Sequence, residues 1–247
     1  SGEAEQLLDE VLTPALVEKP SSAKLLTQRM KLKARRGQWQ QAADDAALVL
    51  EYRPSDHTRF PVLAALLIKT SNRSAYEKLR ANLLTTWSNT TDIYVADQVA
   101  KACFFLPCSE SDSQILGRLA DQPVTSEIKN TSAMPYFQTC KALSEYRQAH
   151  YAQAVEWCHK ALDRPPNPAH AHASAILAMA YWKLEKREEA RATLAKGDLL
   201  APREMPARVA EDSGDGWLAW LYARIQLDEA AVLIRSESNQ RAGLNQP

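Results

Sequence analysis

The segment Tyr151–Leu162, YAQAVEWCHKAL, places Cys158 beside His159. A thiol next to an imidazole is a pairing that nucleophilic catalysis uses, provided the ring reaches the sulfur and a third group orients it. On a helix, adjacent side chains diverge by about 100°. The chain's cysteines also lie mostly among apolar helical residues. The stretch therefore predicts a buried, unreactive thiol. His170 and His172 are two residues apart, which on a helix sends them to different sides. A structural zinc site needs a closed set of three or four ligands. The chain has no HExxH, and Cys103 and Cys108 have neither CxxC spacing nor a second pair. The acid pairs Asp44-Asp45 and Glu188-Glu189 sit on polar helix faces, with nothing to converge them into a two-carboxylate site. Arg29, Lys31, Lys33, Arg35 and Arg36 spread around one helix and read as a solvated face. The expectation is a chain without catalytic residues, cofactor or metal.

The elements that must carry these residues are helices. Glycine is rare, at 7 residues, and runs of Val, Ile and Thr are nearly absent. The approximate helices are 3–17, 23–36, 39–52, 58–70, 73–87, 93–106, 111–121, 134–149, 151–163, 169–184, 187–199 and 217–236. Three stretches align: GQWQQAADDAAL from Gly37, YAQAVEWCHKAL from Tyr151 and LEKREEARATL from Leu184. Each has an alanine after a polar residue, at Ala42, Ala154 and Ala190, and a proline follows 12 residues later, at Pro54, Pro166 and Pro202. Ala75 and Ile115 fill weaker middle copies. Five helix pairs emerge, 23–52, 58–87, 93–121, 134–163 and 169–199, within one domain of residues 3–236. A period of this size marks a helical solenoid. A two-helix hairpin cannot bury its apolar stripe alone, so neighbours stack and small residues mark where backbones touch. Residues 201–216, rich in Pro, Gly and acid, read as a loop. The last helix, GWLAWLYARIQLDEAAVLI, is apolar around much of its surface and is expected to cap the last pair.

Lys plus Arg and Asp plus Glu are both 30, so the formal net charge is zero. This removes the electrostatic footprint expected of a nucleic-acid or acidic-membrane partner. The apolar runs fall well short of the length of a membrane span. Four scattered cysteines suit free thiols in a reducing, cytoplasmic setting. Ser1-Gly2 leads almost directly into helix-forming sequence, which reads as a segment taken from within a longer protein.

The repeats resemble tetratricopeptide repeats. In the fifth pair, Ala178, Tyr181, Ala190, Gly197 and Pro202 match the family's small, aromatic, small, small and proline positions. In the fourth, Ala142, Ala154, Ala161 and Pro166 match, but Glu145 stands at the aromatic position and Gln138 where a Trp is usual. In the first, Met30 replaces a small residue. From about Gln6 to Ile234 the chain also looks like a helical-repeat region of bacterial multidomain proteins. The stretches RRGQWQQAADD, TTDIYVADQVAKACFFLP and PYFQTCKALSEYRQAHYAQAVEWCHKAL carry this likeness. In planctomycete-type bacteria such regions commonly follow a serine/threonine protein kinase domain, with or without WD40 repeats. The resemblance implies an interaction or regulatory region of a signalling protein. The chain itself has no Gly-rich loop, HRD or DFG.

By the family pattern, the concave face is lined by the first helix of each pair. There it would present Tyr136, Thr139, Leu143, Tyr146 and Arg147, then His172, Ala175, Met179, Trp182 and Lys183. The tyrosines and Trp182 offer contact area at low entropic cost, and Arg147 or Lys183 can meet a carboxylate. The resulting expectation is an all-α, right-handed solenoid that binds a protein or peptide, including another segment of the same polypeptide. The alternative is a small-molecule-sensing domain attached to a kinase.

Overall fold

The computed structural model describes residues 7, 10–17, 19–127, 132–163, 169–211 and 214–244. Among them every regular element is helical. A short helix α1 (Pro14–Val17) is followed by α2 (Ala23–Arg35), α3 (Trp39–Tyr52), α4 (Phe60–Lys69), α5 (Arg73–Trp87), α6 (Ile93–Phe104) and α7 (Glu110–Thr125). Then come α8 (Met134–Arg147), α9 (Tyr151–Leu162), α10 (Ala169–Lys183), α11 (Arg187–Leu200), α12 (Ala207–Glu211) and α13 (Gly216–Leu244). Part of the helix expected from residue 3 lies outside the described residues, as does Pro166.

Helix starts follow local capping chemistry. The Asn72 side chain accepts from the Ala75 amide at 3.2 Å, Asp92 from Tyr94 and Val95 at 2.8 and 3.1 Å, and Ser109 from Asp112 at 3.2 Å. These bonds satisfy amides that the first turn leaves without partners. Helix α7 runs further than the alternation of residues implied, through Pro123 to Thr125, because a proline near a helix end removes few backbone bonds. The stretch expected as loop after residue 200 contains the short helix α12.

Four of the five pairs turn in the same way. Gly37, Ser71, Ala149 and Glu185 adopt left-handed φ of 74°, 58°, 62° and 61°. The next residue's amide then bonds to a carbonyl five residues back: Gln38 to Lys33, Asn72 to Leu67, His150 to Glu145 and Lys186 to Tyr181, at 2.8–3.0 Å. This is the left-handed helix stop that glycine normally serves, here used three times out of four by other residues. The third pair, α6 and α7, connects through Pro107 and the Ser109 cap.

Consecutive helices pack on one another, and α4, α6, α8 and α10 each touch the next in that series. Alanine permits the close approach: Ala42, Ala64, Ala100, Ala142, Ala154, Ala178 and Ala190 are all inaccessible to solvent. Helix α10 is buried on almost every side, from Ala171 to Ala180, because α8, α9, α11 and α13 surround it. Capping of the last pair describes only part of what α13 does. It packs on α10 and α11, and it also reaches α4 near the other end of the series.

Candidate functional site: the inner helices and the C-terminal helix

Helix α13 crosses the helices whose faces were expected to bind a partner. Its contacts run the length of the molecule. At its start, Asp215 pairs with Lys31 of α2 at 2.7 Å. One turn on, Trp220 stacks on Trp39 with ring centroids 6.1 Å apart and planes 14° apart. Lys69 Nζ lies 5.5 and 5.7 Å from those two ring centroids, and Trp220 donates its indole N–H to the Pro202 carbonyl at 2.8 Å. Tyr222 meets Phe105 at 5.1 Å. Buried Gln226 donates to the Phe105 carbonyl at 3.1 Å.

The central contact is Arg147. Its guanidinium holds both Glu229 oxygens, at 2.5 and 2.7 Å, while also donating to the carbonyls of Phe104 and Phe105 at 3.0 and 2.8 Å. The planar fork of arginine suits this bidentate contact. Burial would push the guanidinium pKa down, but the hydrogen bonds and charge of Glu229 hold it raised. The carbonyls come from the end of α6, where the chain leaves the helix and their usual partners are missing.

The expected concave residues fall into three groups, with Lys183 outside them. Tyr146 and Arg147 come together beneath α13, with the guanidinium carbon 5.6 Å from the Tyr146 ring centroid. Tyr146 also packs on Tyr151 at 5.7 Å. Met179 and Trp182 are core residues of α10. Trp182 clusters with Ala178, Ala190 and Ile234 and carries Arg187 on its face at 3.8 Å. Tyr136, Thr139 and His172 border a separate cavity. Lys183 stays exposed at the end of α10. Of the set, Tyr136 and Lys183 alone are exposed, so the face is covered where an open groove was expected.

The cavity measures about 400 Å³ and lies between α6, α8, α10 and the beginning of α13. Lys101, Thr139, His172, Asp215, Tyr136 and Tyr222 are its polar lining residues, and Ala169, Leu218 and Ala219 its apolar wall. Lys101 is buried and donates to Asp97 at 2.8 Å. Burial alone would lower its pKa; the Asp97 carboxylate reverses this and raises it. His172 stacks on Phe105 at 6.4 Å. Its pKa is lowered to about 3 by burial, with the charges of Lys101 and Arg147 adding to the effect, so the ring is neutral. Its Nε2 and Asp97 Oδ1 are buried without a hydrogen-bond partner among the described residues. Sequence reasoning passed over Asp97 and Lys101. The available signal was a charge pair at i and i+4 inside the apolar run IYVADQVAKACF.

Cys158 is fully buried, and burial raises its thiol pKa. His159 is exposed and meets the Tyr181 hydroxyl at 3.1 Å. The two do not form a nucleophile and base. Among the described residues no three His, Cys, Asp or Glu side chains are grouped to hold a metal ion, and no helix is long and apolar enough to cross a membrane.

No protein-family model matches the chain, and no curated protein matches it significantly.

Proposed function

We propose that the chain is a non-catalytic scaffold for proteins or peptides, a tetratricopeptide-like right-handed solenoid whose inner face receives a helical segment. On this reading its own helix α13 takes that place. The observation that carries this reading is the Arg147–Glu229 clamp across the covered face. Around it, Trp39 and Tyr146 supply aromatic surface at the places where α13 rests. A groove that takes the apolar side of a helix and fixes its register with one charged anchor is a recurrent mode of peptide recognition. A competing partner would be an amphipathic helix with an aromatic residue for Trp39 and a carboxylate for Arg147. The likeness to kinase-linked repeat regions favours a cytoplasmic regulatory arm of a larger bacterial signalling protein. There, an outside segment and α13 would alternate on one face. The balanced charge favours a protein rather than a nucleic acid or a membrane as the partner.

The test is exchange in trans. A fluorescent synthetic peptide of residues 216–244 is added to the intact chain and to the intact chain carrying Glu229→Arg, which loosens the resident helix. In the unaltered chain, α13 competes at a roughly millimolar effective concentration. The peptide is therefore expected to bind the variant much more tightly. Failure to bind either chain would remove the exchangeable-groove reading.

A second reading, a small-molecule-sensing domain attached to a kinase, is favoured by one observation: the polar-tipped cavity at the start of α13.

A further inference from the structure

We propose that the cavity between α6, α8, α10 and the first turns of α13 binds a small, uncharged, largely apolar molecule whose one polar end carries a hydrogen-bond acceptor of the carbonyl type. This gives the sensing reading a ligand class, and it concerns the state in which α13 is docked, since the first turns of that helix form one wall of the cavity.

Size and lining come first. A volume of about 400 Å³ lies within the usual range of small-molecule sites, which are mostly apolar with a few placed polar groups. Here the apolar part is Ala169, Leu218, Ala219 and the rings of Tyr136 and Tyr222. Tyr136 and Asp215 are both exposed and mark the open side, so a ligand has a way in.

The polar groups define the other end. The Lys101 ammonium has three N–H donors, and Asp97 accepts from it. The remaining donors suit a carbonyl oxygen. His172 is neutral and brings no charge to the lining, and its Nε2 is buried away from accessible surface. Thr139 contributes less, because its hydroxyl proton goes to the Pro135 carbonyl at 2.8 Å.

Charge decides between a neutral and an ionic ligand. Every charge bordering the cavity or close behind it already has an opposite partner. Lys101 faces Asp97, Asp215 faces Lys31, Arg147 faces Glu229, and Arg59 faces Asp56. An anion or cation placed inside would be a buried charge without a counter-ion, which is strongly disfavoured. A neutral molecule avoids that cost and still offers the lysine an acceptor.

Three probes of one shape separate these possibilities: benzamide, benzoate and benzamidine, titrated into the full chain and followed by NMR shifts and thermal unfolding. Benzamide is expected to bind saturably, with both charged analogues weaker by at least about tenfold. Lys101→Met should weaken benzamide by about tenfold, the loss of one buried hydrogen bond. Ala219→Phe fills the cavity from the α13 side without touching the lysine. It should abolish binding while leaving the helical circular dichroism unchanged, which covers the case in which a polar variant fails to fold. Three results would each overturn the proposal: no benzamide binding at millimolar concentration, binding that Ala219→Phe does not affect, or a preference for benzoate or benzamidine. None of them would bear on peptide exchange along α13, which is read out separately.

Discussion

Arg147, at the last turn of α8, holds Glu229 of α13 through two parallel hydrogen bonds, although the residues are 82 positions apart in the chain. The same guanidinium closes off two carbonyls at the end of α6. One side chain thus joins three helices, and its own side chain is only 4% exposed.

Arg147→Ala removes all of these bonds and leaves buried acceptors unpaired. Breaking a buried, hydrogen-bonded ion pair in this way costs about 3–5 kcal/mol. Urea unfolding should show a loss of that order, with Arg147→Lys recovering part of it and Glu229→Gln costing less, since Glu229 is partly exposed. A double-mutant cycle with Glu229→Ala should give a coupling of at least about 1 kcal/mol. Additive effects would mean that the pair contributes nothing beyond its separate contacts.

Gly197 of α11 lies against α13. A Cβ added there would sit 2.6 Å from Leu227 Cδ2, and Leu227 is fully buried. Two effects of opposite sign compete. Alanine is better than glycine inside a helix by about 1 kcal/mol, while overpacking a tight core costs about 1–3 kcal/mol. Gly197→Ala should therefore destabilise the protein in the native background. In a Leu227→Ala background, where the obstructing methyl is gone, the same change should stabilise it. Chemical denaturation of the four variants checks this reversal of sign.

Ala149 and Glu185 stop α8 and α10 in the left-handed conformation. That conformation costs a residue with a Cβ about 1–2 kcal/mol. Ala149→Gly should raise stability by up to about 1 kcal/mol, after the extra unfolded-state entropy of glycine is subtracted. A fall in thermal midpoint would mean that the turn is not held in this conformation in solution.

His172 gives the protein a stability that depends on pH. Its folded pKa, about 3, lies below the ordinary value of 6.5. Between those values the unfolded chain binds the proton and the folded one does not. The contribution is therefore fully present above the unfolded pKa and is lost as pH falls toward the folded one, by up to about 1.4 kcal/mol per pH unit. Comparing unfolding free energies at pH 7 and pH 5 should show this loss, and His172→Phe should reduce it. An unchanged difference in the variant would assign the slope to other groups.

The helices and their hairpin pairing were readable in the residues, because both depend on short-range rules. Ala42, Ala154 and Ala190 recur near the start of second helices and are all inaccessible to solvent. Asn72, Asp92 and Ser109 mark helix starts by bonds to amides two or three residues away. Even the fate of Cys158, buried and separated from His159, was visible from their adjacency on one helix. The left-handed turns were visible only at Gly37, since Ser71, Ala149 and Glu185 carry no such mark.

The path of α13 is another matter. Its apolar residues surround much of the helix, so its own periodicity names no single face and no single neighbour. Arg147 has the same chemistry whether it meets water, a partner's carboxylate or Glu229. Lys101, paired with Asp97, becomes part of a cavity wall only when α8, α10 and the start of α13 close around it. Composition and spacing act over a few residues, and that was enough to make helices and pair them. Which distant face a helix covers depends on the shape and charge of surfaces that exist only once the other helices have packed.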